Sequence, residues 1–344
     1  MQSSYHTLQE IQTQPDAWEE AVQVAIRQAG GVEQLWRSGG FDQVIFTGCG
    51  STYYLSLAGA SLFQQLTGFP ARAVPGGELL LYPANAYSQS GETFLVAVSR
   101  SGNTSETIQA VKAFRREKRG RALVITNYPH SPLAELGDLT LGLPEGQEKS
   151  VAQTRSFASM CVAATAISAI LGGRQDLLGE MERLPENGRR LLVDYDGLAH
   201  AWGSDLSLDR FYFLGSGPRY GLACEVNLKM KEMTLTHSEA FHFMEFRHGP
   251  MSMVTATAAV IGFLSDSNRA HEQAVMQEMS ALGGRLLSIG ESEVDVAFES
   301  HLPEEIRGVL YLPVIQMIAY QRSVAKGLNP DRPKNLSAVV KLKL

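Results

Sequence analysis

Residues 99–107 read "SRSGNTSET", a turn of hydroxyls, a glycine and an arginine between the apolar run "TFLVAV" and a segment with Ile108, Val111 and Phe114 at helical spacing. Two chemistries fit. Ser and Thr side chains accept hydrogen bonds from the unpaired N–H groups of a helix's first turn, which is capping. The same free N–H groups, the positive end of the helix dipole and an arginine also make a cradle for phosphate. A second row of reactive side chains lies in "LKMKEMTLTHSEAFHFMEFRHGP", residues 228–250, with Lys229, Glu232 and His248. On residue type alone, Lys229 and Glu232 fit a solvated helix face, and His248 before Gly249-Pro250 fits a turn.

The elements that must position these groups repeat. "DQVIFTGCGSTYYLSLAGASLFQQL" from Asp42 aligns with "DRFYFLGSGPRYGLACEVNLKMKEM" from Asp209, placing Gly48, Gly50 and Tyr53 over Gly215, Gly217 and Tyr220. Each copy reads as a strand, a Gly-x-Gly turn and a helix. About fifty residues on, each has a second strand and a serine turn, "VAVSRSGNTSET" and "IGFLSDSNRAHE", and further strands follow at 122–126 and 285–289. Strands alternating with helices predict βαβ units and parallel sheets covered on both faces. The expected layout is an N-terminal helical segment at 1–40, a first domain at 41–195, a second at 196–328 and a tail at 329–344. Residues 16–36 read as an amphipathic helix packing across the other half, and Pro185 and Gly188 as a break in a charged helix. The copies differ at the serine turn, where Arg100 in the first is matched by Asp266 in the second. A carboxylate repels phosphate, and capping needs no such asymmetry, so the first turn is the expected anion site.

Bulk composition narrows the function classes. The chain has 344 residues, 44% hydrophobic and 19% charged, with formal net charge −6. A modest acidic balance argues against nucleic-acid and membrane-surface binding. No apolar run reaches a membrane span, and "MQSSYHTLQEIQ" has neither the basic flank nor the apolar core of a secretory signal. Cys49, Cys161 and Cys224 read as reduced thiols, which with the missing signal predicts a cytoplasmic protein. No HExxH or CxxC occurs, so neither a metal nor another cofactor is expected.

"GCGST" and "SRSGNTSET", each after a strand in a duplicated α/β unit, resemble the sugar isomerase (SIS) family. Within it, the chain is most similar to the isomerase half of glucosamine-6-phosphate synthases and to amino-sugar phosphate deaminases. "TLQEIQTQPDAW", "LKMKEMTLTHSEAFHFMEFRHGP" and "NPDRPKNLSAVVKL" extend the likeness over nearly the whole chain. The resemblance implies two tandem SIS domains, each a doubly wound parallel sheet in a flavodoxin-like three-layer α/β sandwich. It places a sugar phosphate on Ser99, Arg100, Ser101 and Thr104, on the turn Cys49, Gly50, Ser51 and Thr52, and on the backbone at Val151 and Ala152. It gives Glu232 the proton shuttle between C1 and C2 of an open-chain sugar, His248 the ring opening, and Lys229 a charge beside a substrate hydroxyl. His237 and Glu239 read as supporting residues. A Glu232 placed on an apolar helix would be partly desolvated, with its pKa raised towards neutrality. It also implies a homodimer in which the histidine reaches the neighbouring subunit's site.

Three departures bear on the activity. Arg100 stands where synthases usually carry glutamine, and a guanidinium can pair with phosphate through two N–H groups. No glutamine-hydrolysing domain is recognisable, and no cysteine follows Met1, so ammonia is expected from solution or from a separate glutaminase. Ala338 stands where synthases have the lysine that forms a Schiff base with the open ketose; Lys334, Lys341 and Lys343 are near it in sequence but not at it. The expectation is an amino-sugar or ketose 6-phosphate isomerase/deaminase. The alternatives are the isomerase subunit of a split synthase, a fructosamine-phosphate deglycase, or a sugar-phosphate sensor. A sensor would lack Glu232 or His248 and carry a DNA-binding domain.

Overall fold

The computed structural model describes residues 5–88, 91–339 and 342; Lys341 and Lys343 lie outside them. The first sheet contains β1 (Phe41–Gly48), β2 (Ala71–Pro75), β3 (Glu92–Val98), β4 (Gly120–Thr126) and β5 (Leu139–Gly142), in the order β2-β1-β3-β4-β5. The second contains β6 (Arg210–Leu214), β7 (His237–Phe241), β8 (Ala258–Phe263), β9 (Arg285–Gly290) and β10 (Val296–Ala297), in the order β10-β9-β8-β6-β7. Every pairing is parallel. Substituting β6 for β1, β7 for β2 and so on turns one order into the other, so the sequence repeat is a repeat of topology.

Parallel strands are covered on both faces, which is why β3 and β8 are continuous apolar runs rather than alternating ones. All of β8 is buried, and so is β3 after Glu92. One face of the first sheet packs Ile45, Leu95 and Val124 against Val111 and Phe114 of the helix Ser105–Arg116. The second sheet sets Tyr212, Leu214 and Val260 against Val275 and Met279 of the helix Arg269–Ala281, with Phe243 and Phe246. A fully buried side chain of this size stabilises by about 1.5–3 kcal/mol over an exposed one, so these layers hold the strand ends in place.

The chain divides into two compact units. One comprises Thr13–Glu148, Arg155–Arg183 and the tail from Ser337, and carries the first sheet. The other comprises the chain up to Gln12, Lys149–Thr154 and Leu184–Leu336, and carries the second. The first helix runs His6–Arg37, longer than the amphipathic stretch predicts, with Pro15 inside it. Pro185 and Gly188 do not break their helix. Pro185 sits in the first turn of Leu184–Asp194, where proline's missing N–H costs nothing, and the interruption falls at Glu182–Arg183 instead. No helix among the described residues is long and apolar enough to cross a membrane.

Candidate active site

In the 2-1-3-4-5 order the strand sequence reverses between β1 and β3, and ligands of such sheets bind in the crevice beyond that point. Two turns leave β1 and β3 there. After β1, Gly50 has φ 58° and ψ −126°, a conformation open to glycine, and it starts the helix Ser51–Thr67 with no side-chain cap. Thr52 Oγ1 accepts from the Cys49 N–H at 2.9 Å and donates to the Cys49 carbonyl at 3.0 Å. Gly217 repeats this backbone in the other half with φ 57° and ψ −136°. Cys49 Sγ lies 3.4 Å from Thr107 Oγ1. Burial pushes its thiol pKa up, which suits a packing residue and not a nucleophile.

After β3, Ser99 Oγ accepts from the Gly102 N–H at 3.1 Å and Ser101 Oγ from the Asn103 N–H at 3.1 Å. Gly102 has φ +60°, and a Cβ there would fall 1.8 Å from Ser131 Oγ. Glycine is therefore required twice over. Thr104 precedes the helix Ser105–Arg116 without capping it. The hydroxyls thus shape the turn while leaving the first-turn N–H groups uncapped, as an anion site requires.

Arg100 is buried, 7% exposed. Its guanidinium lies 3.5 Å from Glu148 Oε1, whose side chain is fully buried, and donates to the Ala338 carbonyl at 3.0 Å. Glu148 also takes hydrogen bonds from the Ser156 N–H and hydroxyl. Arg100 therefore shares its charge between a carboxylate and the tail. The other half's serine turn is built alike but filled. Ser265 Oγ accepts from the Asn268 N–H at 2.9 Å, while the Ser265 N–H and hydroxyl both donate to Glu272 Oε2 at 2.6 and 2.9 Å. Asp266 is held by Arg307 and Arg269. An internal carboxylate already occupies this turn.

The second unit holds the acid–base groups. On the helix Pro218–Thr234, Lys229 is 1% exposed, with Nζ 2.5 Å from Glu232 Oε2 and 3.4 Å from Glu225 Oε1. Glu225 was not singled out in the sequence, yet Glu225, Lys229 and Glu232 stand at i, i+4 and i+7, one helix face. Glu232 is partly buried, its side chain keeping 19% exposure, and Glu225 is fully buried. One lysine thus stands between a buried carboxylate and a carboxylate that reaches solvent. His248 follows the short helix Phe243–Phe246 and is exposed; no hydrogen bond joins it to Glu232. Nearer the β7 end, His242 stacks on Tyr220 with centroids 3.8 Å apart, and burial lowers its pKa. His237 and Glu239 form a surface pair at 3.9 Å. Val151 donates its N–H to the Asp331 carbonyl at 3.0 Å, and Ala152 is buried. Lys334 is exposed. Among the described residues no cluster of three His, Cys, Asp or Glu could hold a metal.

A family model described as the SIS domain matches residues 41–169 and 207–302, one segment on each sheet. The chain belongs to the SIS domain family. Its SIS segments carry both Gly turns, the Ser99–Thr104 turn and the Glu225–Lys229–Glu232 row. The isomerizing glutamine–fructose-6-phosphate aminotransferase of Methanothermobacter thermautotrophicus is 29% identical over 344 residues, covering 97% of this chain and 57% of that protein. The chain thus spans little more than half the length of this relative. Among solved structures, glucosamine-6-phosphate deaminase from Thermotoga maritima superposes with a TM-score of 0.82 at 26% identity, covering 98% of this chain and all of that one. Tagatose-6-phosphate ketose/aldose isomerase from Escherichia coli shares the fold, with a TM-score of 0.86 at 21% identity, covering 97% and 96%.

Proposed function

We propose that this SIS protein isomerises and deaminates an amino-sugar 6-phosphate through the open-chain form. The Glu225–Lys229–Glu232 row carries the reading, because a sensor that only binds its sugar has no use for a buried lysine poised on a partly exposed carboxylate. Phosphate sits at the β1/β3 reversal. It lies at the starts of the helices Ser51–Thr67 and Ser105–Arg116, facing their positive ends, with the hydroxyls of Ser51, Thr52, Ser99, Ser101 and Thr104 and the charge of Arg100. The peptide groups at Cys49, Gly50, Val151 and Ala152 line the sugar.

His248 moves the proton that opens the ring, in a homodimer where it serves the neighbouring subunit's site. Glu232 takes the C2 proton of the open-chain aldehyde and delivers it to C1, the C2 amine gives up a proton and O1 gains one, and Lys229 stabilises the negative charge that develops on O1 meanwhile. For a 2-amino sugar the product of this shift is a C2 imine. Water adds at C2, the C–N bond breaks, and ammonia leaves with a proton, giving the 2-keto 6-phosphate.

The methyl group of Ala338 forms no imine, which favours the deaminating direction over the Schiff-base route of a synthase. The likeness to the aminotransferases favours a second reading, amination with separately supplied ammonia. An ammonia-release assay over a panel of hexosamine 6-phosphates, with ketose 6-phosphate measured in parallel, tests the proposal. Equimolar ammonia and ketose are expected. Ketose consumption with ammonia uptake would favour the second reading, release from a fructosamine phosphate would favour a deglycase, and tight binding with no turnover would favour a sensor.

A further inference from the structure

The opening "TLQEIQTQP" and the tail "NPDRP" have so far been given no role, although both are distinctive in the sequence. Within the unit carrying the second sheet, both close on residues 149–151. Glu10 is 4% exposed, and its Oε1 accepts from the Lys149 N–H at 2.5 Å and the Ser150 N–H at 3.4 Å. Its Oε2 accepts from the Ser150 hydroxyl. The next N–H, that of Val151, goes to the Asp331 carbonyl at 3.0 Å. The Asp331 carboxylate in turn caps the helix that carries Glu10, taking the His6 N–H at 3.0 Å, the Thr7 N–H at 2.8 Å and the Thr7 hydroxyl at 2.7 Å. Asn329 Oδ1 accepts from the Asp331 and Arg332 N–H groups at 3.0 and 3.2 Å, fixing the tail turn.

These bonds form a closed ring from the helix start through Asp331, Val151 and Ser150 to Glu10, one turn along the same helix. The segment it holds, Lys149–Thr154, has no helix or strand of its own. Such a segment has no ladder to satisfy its N–H groups or fix its dihedrals, so each of those depends on outside partners. Three consecutive N–H groups here are taken by two acidic residues far away in sequence.

We infer that Glu10 and Asp331 are positioning residues that fix the Val151–Ala152 backbone for the open-chain sugar. The inference rests on the proposed function only for the identity of what that backbone faces. Placement errors of about 1 Å cost on the order of a hundredfold in rate, and an irregular segment reaches such precision only when clamped.

The test uses the full chain with Glu10→Ala, Glu10→Gln and Asp331→Asn. Amide hydrogen exchange at 149–151 is expected to quicken by about tenfold or more in Glu10→Ala, with the 99–104 turn unchanged. For the sugar phosphate that the wild type turns over, kcat/KM is expected to fall by about tenfold or more, while inhibition by inorganic phosphate alone stays within about twofold. Glu10→Gln, whose amide oxygen can accept the same N–H groups, is expected to recover part of both losses. Unchanged exchange at 149–151, or equal weakening towards sugar phosphate and inorganic phosphate, would overturn the inference. If Glu10→Ala does not fold, Asp331→Ala, which removes the carboxylate that takes the His6 and Thr7 N–H groups and the Thr7 hydroxyl, opens the same ring at its other end and is read in the same way. A wild type inert towards every sugar phosphate would instead overturn the functional proposal, and the exchange measurement would still decide the clamp.

Discussion

Replacing Arg100 by alanine separates two roles that its surroundings combine. The guanidinium is 7% exposed and faces Glu148, whose side chain is fully buried. Removing one partner of a buried ion pair costs about 3–5 kcal/mol, because the other charge is left in a poor solvent. At 3.5 Å, with the Ser156 N–H and hydroxyl still on the carboxylate, the lower end of that range applies, about 3 kcal/mol. Urea unfolding should show that loss, and Arg100→Ala/Glu148→Gln should recover most of it, since a neutral amide needs no counter-charge. Binding behaves differently. A charge-assisted contribution to phosphate is worth about 1.5–3 kcal/mol, so sugar-phosphate affinity should fall by about 10- to 150-fold in the single and the double variant alike. Asp266→Ala, in the filled turn of the other half, should leave affinity unchanged. Titration calorimetry with a hexosamine 6-phosphate reads these affinities. A double variant that is stable and binds as tightly as the wild type would refute a phosphate role for Arg100. Equal losses at Arg100 and Asp266 would refute the assignment of the anion site to the first half.

Further outcomes follow from the other parts of the site. If His248 serves the neighbouring subunit, then Glu232→Gln and His248→Ala, each inactive, should on joint dissociation and reassembly regain roughly a quarter of wild-type activity, since about half the dimers are mixed and each has one intact site. Mixed dimers confirmed by mass with no activity would reject the shared site. Burial holds the His242 imidazole below its ordinary value of 6.5, against a weaker opposing pull from Glu245. As the pH falls the unfolded chain takes up that proton first, so the stability this residue contributes is present above 6.5 and lost as the pH drops through the lowered value. Its ring resonances should titrate below 6.5, and Tyr220→Ala, which uncovers the stacked face, should raise the midpoint; an unchanged midpoint would contradict the stacking.

The parts of the fold visible in the sequence were those set by local physics. Continuous apolar runs marked β3, β4 and β8, because parallel strands are buried on both faces. The two Gly-x-Gly turns marked the strand–helix junctions, because Gly50 and Gly217 combine a positive φ with ψ of −126° and −136°, a conformation that suits glycine alone. Pro185 misled because proline breaks a helix interior but suits a first turn. Within the site, the contrast between Arg100 and Asp266 was legible as charge, yet its physical content was not. Glu272 fills the second turn from seven residues away, and Glu148 neutralises Arg100 from 48 residues away. No periodicity reports such pairings. Glu225 was legible too, since it shares a helix face with Lys229 and Glu232. The Glu10–Asp331 ring joins positions more than 300 residues apart in sequence through residues 149–151, and only the folded chain brings them together.

The central claim is that Glu232 carries a proton between neighbouring carbons of an open-chain phosphosugar. Incubation with glucosamine 6-phosphate in deuterated water, followed by NMR of the recovered 6-phosphates, tests it directly. The wild type should place solvent deuterium at C1 or C2 and release ammonia, and Glu232→Gln should bind the sugar with near-normal affinity yet turn over at least about a hundredfold more slowly. Near-normal turnover by Glu232→Gln would contradict it.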